Sequence, residues 1–444
     1  MHSFALRFDF ISRMASPLSE VMTTTTNYIV SGFQHVIDGA ITAGAFGDIM
    51  KNTTGYDVNT VPYVTDGAIN SKRFGDRSKP LLNSSGCLFM NLSALRHYDD
   101  SEDPISNPTI QLFNRVKATY LIPTLFFVGF PTNCLNMLVF LMHDLKQRIN
   151  TCLFCLSLVD LVFITFLFVV YVENIRDEAM TTFSVSVTTV MLFIINSHLL
   201  GLYGFGWASM FVSTIISAER CFCVIWPLRS SRLLKTRTTA IVLLIGVVLI
   251  VAGRFAVTEK YRVICLHDIS SVEESLHVTT SRYYLVHKRL VDILDSVVYG
   301  LVLPFTSCTF ITIATIVTAV KLKQVARWRL ESSSAFSARE IALTKMLIYL
   351  SIQFIALNLP NILLRMATAF VPDINFTGRF ANLFFLSTGV VEVCAALNSS
   401  LNFLVYYFAG TKYRETVHGL WGKAMAKMKT VYIDTSGSNV NPLS

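Results

Sequence analysis

The chain has 444 residues, of which 52% are hydrophobic and only 15% are charged, and its mean hydropathy is +0.52. Soluble proteins carry roughly 25% charged residues, so this composition excludes a soluble globular protein and indicates an integral membrane protein. The net charge of +8 is divided among short segments between apolar runs, a pattern that does not indicate nucleic-acid binding.

Residues 1–116 are polar, rich in turn-forming residues and without helical periodicity. We expect a mostly flexible extracellular segment here rather than a folded domain. The start of the segment has no apolar core long enough for a cleavable signal peptide. Sequons for N-glycosylation begin at Asn52, Asn83 and Asn91, and a further one begins at Asn375.

Seven apolar runs follow, and each is close to the 20 residues that an α-helix needs to cross a bilayer. They predict helices at about 117–142, 152–172, 187–218, 239–257, 291–318, 342–369 and 381–408. The predicted fold class is therefore an all-α membrane protein, a seven-transmembrane helix bundle that occupies residues 117–409. Residues 410–444 are predicted to form a tail that begins with a short amphipathic helix.

Lysine and arginine are concentrated after the first, third and fifth apolar runs and in the tail. Because cytoplasmic loops carry the excess of basic residues, the N-terminus is predicted outside and the C-terminus inside the cell. The four sequons named above fall on the side predicted to be outside. The loop 258–290 also carries basic residues, but long loops contribute little to this bias.

Of the nine cysteines, only Cys87 and Cys265 fall in predicted extracellular segments. The oxidising environment there permits a disulfide between them, and two unpaired thiols are an equally consistent interpretation. No cysteine or histidine spacing typical of a metal site occurs in the sequence. It contains no nucleophile–base arrangement and no phosphate-binding loop, so we do not expect an enzyme.

Polar residues inside the predicted helices are functional candidates, because they are costly in hydrocarbon. The carboxylate of Asp160 in helix two needs partners within the protein. In helix seven, Asn398, Asn402 and Tyr406 follow one another at intervals of four residues and therefore share one face of the helix. We expect this face to supply partners for Asp160.

Six motifs in order resemble those of rhodopsin-like (class A) G-protein-coupled receptors. They are Asn133 in helix one, Leu156 and Asp160 in helix two, Glu219-Arg220-Cys221 in helix three, Pro304 and Pro360 in helices five and six, and Asn402-Phe403-Leu404-Val405-Tyr406 in helix seven. The stretches "NCLNMLVF", "ERCFCVIWPL" and "NSSLNFLVYYFAGTKYR" are similar to invertebrate neuropeptide receptors of the FMRFamide and myosuppressin type, and to related orphan or chemosensory receptors. The resemblance covers about residues 115–420.

The resemblance implies a plasma-membrane receptor that binds an extracellular neuropeptide and activates a heterotrimeric G protein through outward movement of helix six. It implies arrestin, receptor kinases and membrane lipid as further partners, and no cofactor apart from a bound sodium ion. A chemosensory receptor for a small molecule is the alternative within the class. A seven-helix transporter or channel is the alternative outside it, although the internal repeats of a transporter are not found.

The resemblance also assigns roles to residues. Glu219 would hold Arg220, and Glu340 would close an ionic latch on the same arginine, with Asn402 and Tyr406 as further parts of the switch. A snorkelling pair at the membrane edge is the alternative for Glu219 and Arg220. A sodium site or a purely hydrogen-bonded polar core would comprise Asp160, Ser209, Asn398, Ser399, Asn402 and Asn133. A packing switch, or packing alone, would comprise Met210, Pro304 and Phe354.

For the ligand pocket, the resemblance implies that Glu392 and Arg365 face each other, an arrangement that suits a ligand with both charges, such as a peptide. A Glu392–Arg365 pair in the empty receptor is the alternative. Further candidates for the lining are His198, Tyr203, Glu173, Asp292 and Asn361. The sequence departs from the class at Ile195, Asn358 and Thr312, where a helix-three cysteine, a helix-six tryptophan and a helix-five tyrosine are expected.

Overall fold

The computed structural model describes residues 88–90, 102–171, 199–226, 230, 235–268, 274–331, 338–375 and 378–422. Within these ranges, seven helices are long and apolar enough to cross a membrane, which confirms the predicted fold class. Their bounds are Asn107–Met142 (α1), Arg148–Tyr171 (α2), Leu199–Ile225 (α3), Thr236–Thr258 (α4), Arg282–Gln324 (the apolar part of α5), Ala342–Phe370 (the apolar part of α6) and Ala381–Ala409 (α7). Residues 411–422 form a short helix, α8.

Two of these helices contain a π-helical segment. In α1 the α-helix Asn107–Val116 passes through the π-helix Lys117–Leu121 into the α-helix Ile122–Met142. In α5 the α-helix Arg282–Asp292 passes through the π-helix Ile293–Val302 into the α-helix Leu303–Glu331. Such segments are rare and are frequent at functional sites.

Several helix boundaries differ from the prediction, and α5 spans Arg282–Glu331 rather than about 291–318. α1 begins at Asn107 rather than near residue 117, because the backbone hydrogen bonds continue through an amphipathic segment outside the apolar run. α3 continues to Ile225 rather than ending near residue 218, and the Pro227 that follows in the sequence cannot extend a helix. Glu219 and Arg220 consequently lie within the last two turns of α3. The predicted start of α3, at 187–198, falls outside the described residues.

The chain divides into two compact units. The first comprises Met1–Lys117, Cys265–Ser275 and Pro360–Glu392, and the second comprises Ala118–Ile264, Leu276–Leu359 and Val393–Ser444. The two are described separately below.

In the first unit, Asp103 caps the start of α7. Its Oδ2 accepts hydrogen bonds from the backbone N–H groups of Asn382, at 2.8 Å, and Leu383, at 3.4 Å. The Asn382 side chain donates in return to the backbone oxygen of Ile105, at 2.9 Å. The first N–H groups of a helix have no partner within the helix, so these bonds satisfy the end of α7 and fasten the segment before α1 to it.

The second unit has a buried apolar cluster that draws on α1, α2, α3, α4, α6, α7 and α8. In a bilayer, burial brings little hydrophobic gain, so helices associate through close packing and hydrogen bonds, for which small residues are needed. Gly246 of α4 illustrates this, since a Cβ there would lie 2.3 Å from the ring of Phe211. Gly129 of α1 faces Ser400 of α7 in the same way.

A small sheet accompanies the helices. Its strands are Leu88–Met90 (β1), Tyr261–Asp268 (β2) and Glu274–Thr280 (β3), in the order β1-β2-β3. β1 pairs with β2 in parallel, with Leu88 opposite Leu266. These two leucines directly follow the two predicted extracellular cysteines in sequence. Cys87 and the side chain of Cys265 lie outside the described part, so the disulfide stays a prediction.

Candidate functional site

A polar core in the second unit surrounds the carboxylate of Asp160, which is fully buried in α2. Its Oδ1 accepts hydrogen bonds from Ser209 Oγ of α3, at 2.7 Å, and Ser399 Oγ of α7, at 2.9 Å. Its Oδ2 accepts one from Asn402 Nδ2, at 2.8 Å. Three predicted partners thus meet the carboxylate directly. A buried carboxylate is tolerated only with such partners, so this set holds α2, α3 and α7 together.

The other two predicted members of the core act through the backbone. Asn133 Nδ2 donates to the backbone oxygens of Ser399, at 2.8 Å, and Gly129, at 3.0 Å. The backbone oxygen of Asn398 accepts from Gln353 Nε2 at 3.4 Å. Through these contacts, the hydrogen-bonded residues around Asp160 are also connected to α1 and α6.

Gln353 of α6 is a member that sequence analysis missed. Its Nε2 also donates to Asn402 Oδ1, at 3.1 Å, so Asn402 joins the Asp160 carboxylate to α6. An amide within the apolar run of helix six is the same kind of signal that identified Asp160. A movement of α6 has to break this contact or carry Asn402 with it.

The oxygens around Asp160 form a set that fits a sodium ion. One carboxylate oxygen and two hydroxyl oxygens converge, and hard cations prefer oxygen ligands of this kind. The same atoms also form a complete hydrogen-bonded network without an ion. The groups that would hold sodium are Asp160, Ser209 and Ser399, and the ion would supply positive charge to a buried carboxylate.

The Glu219–Arg220 pair lies at the C-terminal end of α3. Arg220 Nε is 2.8 Å from Glu219 Oε2, although its N–H is not aligned for a hydrogen bond. Arg148 of α2 approaches the other carboxylate oxygen, with Nε 3.4 Å from Oε1. Only 5% of the Glu219 side chain is exposed, so one nearly buried carboxylate is shared by two guanidinium groups.

Arg148 is a second residue that sequence analysis missed. Its Nη1 also donates to the backbone oxygen of Ser230, at 2.7 Å, so it joins the start of α2 to the segment after α3. Its signal in the sequence is ambiguous, because a basic residue beside an apolar run ordinarily indicates topology. The side chain of Glu340 lies outside the described part, and the latch with Arg220 stays a prediction.

A small cleft lies beside Arg220, between α3, α5 and α6. Its lining is rich in hydroxyl groups and comprises Ile216, Ser217, Arg220, Ala314, Thr315, Thr318, Thr344, Leu347, Ile348 and Ser351. Ser217 and Ser351 form a hydrogen bond of 3.2 Å between α3 and α6. This is a weak contact between neutral groups, so it offers little resistance to separation of the two helices.

Tyr406 of α7 is fully buried and packs edge-on against Phe140 of α1, with ring centroids 5.3 Å apart. Its hydroxyl has no hydrogen-bond partner among the described residues. The ring of Tyr413 of α8 lies tilted against that of Tyr406, with centroids 5.6 Å apart, and its hydroxyl donates to Asn136 Oδ1 at 2.6 Å. Burial raises the pKa of Tyr413, so its hydroxyl stays protonated and keeps α8 bound to α1.

The predicted packing residues Met210 and Phe354 do meet. They form a buried cluster with Ile311 of α5, and Trp207 and Ile355 pack against it. Pro304 is also buried in α5, and Ile311 is the α5 residue in the cluster. Contact among α3, α5 and α6 at this point makes the cluster sensitive to any change in their spacing.

In the first unit, Glu392 of α7 forms an ion pair with Lys117 of α1, with Oε2 2.8 Å from Nζ. The exposed fractions are 19% for the Glu392 side chain and 8% for that of Lys117. Sequence analysis did not identify Lys117, because a basic residue at the end of an apolar run ordinarily indicates topology. A cationic ligand group would therefore have to displace an ammonium group to reach Glu392.

The remaining pocket candidates are divided between the units. Arg365 and Asn361 belong to α6 in the first unit. Tyr203, in the second unit, packs edge-on against Phe166 at 5.1 Å, and Asp292 accepts a hydrogen bond from Tyr284 Oη at 2.9 Å. Glu173 and His198 lie outside the described residues.

Of the four predicted glycosylation sites, only Asn375 is described. Its side chain donates to the backbone oxygen of Pro372 at 2.7 Å in the turn before α7. Asn52, Asn83 and Asn91 lie outside the described residues, and all four modifications stay predictions.

Comparison with known proteins adds one finding. A family model described as "Serpentine type 7TM GPCR chemoreceptor Srw" matches residues 120–424, which include every transmembrane helix apart from the first part of α1. Comparison with curated proteins gives no matching sequence.

Proposed function

The chain belongs to the Srw family of serpentine seven-transmembrane G-protein-coupled chemoreceptors, and on that premise we propose that it activates a heterotrimeric G protein when an extracellular ligand moves helix α6 outward. The proposal places the chain in the plasma membrane with its N-terminus outside. The observation that carries it is the position of Arg220, which lines a small cleft between α3, α5 and α6 while Glu219 lies beside its guanidinium group.

The ion pair acts as the restraint of a two-state switch. Removing one partner of a buried ion pair costs about 3–5 kcal/mol, whereas a two-state equilibrium is reversed by about 5.5 kcal/mol. Differential binding of a ligand can supply free energy of this size. When α6 moves away, the cleft widens and Arg220 becomes accessible to a helix of the G protein. Glu340 of α6 would add a second restraint on Arg220 in the resting state.

The polar core connects α6 to the buried carboxylate of Asp160. Gln353 of α6 is bound to Asn402, which is bound to Asp160, so movement of α6 changes the environment of the carboxylate. A sodium ion held by Asp160, Ser209 and Ser399 would stabilise the resting arrangement by neutralising that charge. Movement of α6 would then weaken the site, so sodium and activation oppose each other through linkage.

For the ligand, we propose an extracellular peptide, as the likeness of the α1, α3 and α7 motifs to neuropeptide receptors implies. The charged pair Lys117–Glu392 in the first unit offers both signs of charge to such a ligand. A small water-borne compound is the second candidate, and the chemoreceptor description of the matching family favours it.

The experiment is a ligand screen with a built-in control. Cells expressing the full chain are challenged with amidated neuropeptides and with small water-soluble compounds, and G-protein activation is recorded. We expect a saturable response that disappears in Arg220→Ala at equal surface expression. As a matched control, Lys323→Ala removes an exposed basic residue of α5 and should respond normally. A response of full size in Arg220→Ala would refute the proposed mechanism.

A further inference from the structure

A further ion pair lies in the second unit, at a place for which sequence analysis predicted no site. Arg254, near the end of α4, donates through Nη1 to Asp295 Oδ1 of α5 at 2.8 Å. Lys260 Nζ lies 3.7 Å from the other carboxylate oxygen. The exposed fractions are 21% for the Arg254 side chain and 31% for that of Asp295. The pair is therefore open to molecules outside the protein.

One hydrogen-bond donor of the Arg254 guanidinium group has no acceptor among the described residues. This donor, Nε, is buried, and a buried N–H without an acceptor is costly. The group lies over the ring of Tyr299, with Cζ 5.8 Å from the ring centroid. Tyr299 is itself fixed by a hydrogen bond of 2.6 Å to the backbone oxygen of Ile250. The cation is thus held in place with a donor to spare.

The carboxylate of Asp295 comes from the π-helical segment Ile293–Val302. A π-helix is less favourable than an α-helix and recurs at functional sites. The other π segment of the protein's described part, Lys117–Leu121, also contains a charged member of an ion pair, Lys117. The backbone of α5 is therefore distorted where it brings Asp295 to the two cations.

Two cations meet at the carboxylate of Asp295. Arg254 Nη1 lies 2.8 Å from its Oδ1, and Lys260 Nζ lies 3.7 Å from its Oδ2. The nearby acid Asp292 accepts a hydrogen bond from Tyr284 Oη, and the ring of Tyr284 lies 5.3 Å from Lys260 Nζ. A second carboxylate beside Arg254 would match the fork of donors that a guanidinium presents.

The pair also lies at one end of a chain of contacts that reaches α6. The rings of Tyr299 and Trp207 are 6.0 Å apart, and Trp207 packs against the Met210–Ile311–Phe354 cluster. Phe354 belongs to α6. A change at Arg254 can thus be passed through two aromatic rings to the helix whose movement the proposed function requires.

We propose that Arg254 and Lys260 bind the carboxylate of an extracellular ligand, and that Asp295 is an internal competitor which the ligand displaces. The inference rests on the proposed function for its place outside the cell and deepens it by naming the chemical class of the ligand. The partly exposed ring of Trp207 suits a ligand with an apolar or aromatic body next to its carboxylate. A small organic acid and the free C-terminus of a peptide share this chemistry.

The test is a binding measurement that needs no G protein. The full chain is purified in detergent, and its Tm is followed against increasing benzoate, which stands for a small acid, and N-acetylphenylalanine, which stands for a peptide C-terminus. Benzamide and N-acetylphenylalanine amide are the uncharged controls. We expect at least one acid to raise the Tm saturably while its amide does not. The acid that acts identifies the source of the carboxylate.

Variants distinguish a binding site from a structural ion pair. Asp295→Asn removes the competitor and should bind the active acid several-fold more tightly. Arg254→Gln should bind it at least tenfold more weakly, and Lys323→Gln should bind as the wild type does. If Arg254→Gln does not fold, the exchanged pair Arg254→Asp with Asp295→Arg replaces it; this variant should fold and fail to bind.

Three results would overturn the proposal: no acid shifts the Tm of the wild type, acids and amides act alike, or the exchanged pair binds the acid normally. Because the readout is thermal stability, loss of G-protein activation in the ligand screen would leave these results unaffected. Failure here would likewise leave the Arg220 mechanism intact.

Discussion

Lys117→Met should be among the most destabilising single substitutions in the protein, with an expected loss of about 3–5 kcal/mol in the free energy of unfolding. The change leaves the Glu392 carboxylate, which is 19% exposed, without the ammonium group that lies 2.8 Å away. Loss of an opposite charge beside a carboxylate in a poorly hydrated position is costly. Since the two residues come from α1 and α7, their pair also holds these helices together in the first unit.

The double variant Lys117→Met with Glu392→Gln provides the decisive comparison. It removes both charges, so we expect it to recover most of the stability that Lys117→Met loses. Thermal unfolding of the purified protein measures both, with Lys323→Met as a control for loss of a positive charge at an exposed position. Equal losses in the single and the double variant would show that the ion pair does not hold α1 to α7.

Asp160→Asn is expected to have the second large effect. The carboxylate accepts three hydrogen bonds, two at Oδ1 and one at Oδ2. An asparagine has only one acceptor oxygen, and its amide nitrogen would face either the hydroxyls of Ser209 and Ser399 or the amide nitrogen of Asn402. Each donor left unsatisfied in a buried position costs about 1–3 kcal/mol, so we expect a marked loss of thermal stability.

The same variant tests the proposed sodium ion. Thermal unfolding is measured in sodium chloride and in choline chloride at equal ionic strength. We expect sodium to raise the Tm of the wild type by several degrees and to have no effect on Asp160→Asn. If the wild type unfolds at the same temperature in both salts, the polar core is a hydrogen-bonded network without an ion.

The helices and the polar core were predictable because their signals are local. An apolar run of about 20 residues is sufficient to identify a transmembrane helix, and a carboxylate such as Asp160 is conspicuous within one. The four-residue spacing of the helix-seven polar residues correctly identified Asn402 as a partner. Helix ends were less predictable, because hydropathy marks the apolar runs whereas α1 and α3 continue as helices beyond them.

The ion pairs were not predictable, because each depends on which helices become neighbours. Lys117, Arg148 and Arg254 all lie near the ends of apolar runs, where a basic residue is ordinarily a topology signal. Nothing in the local sequence distinguishes a lysine that reaches water from one that binds Glu392. The three-dimensional arrangement shows that each of these three residues instead holds a carboxylate from another helix.

The position of Gln353 shows a third situation. The residue was as conspicuous as Asp160, since it is an amide within an apolar run. Its role follows from its partner, because the contact with Asn402 makes it the link between α6 and the polar core. Residue type alone could mark it as a candidate but could not assign it to this network.

The most direct test of the central claim is nucleotide exchange on purified G-protein heterotrimers, measured without ligand for the wild type, for Glu219→Gln and for Glu219→Gln combined with Arg220→Ala. Glu219→Gln removes the charge that holds Arg220, so exchange should rise several-fold above that of the wild type. Adding Arg220→Ala should return it to the level of the empty membrane. If Glu219→Gln exchanges no faster than the wild type, or if the double variant stays active, Glu219 does not restrain Arg220 and the proposed switch is wrong.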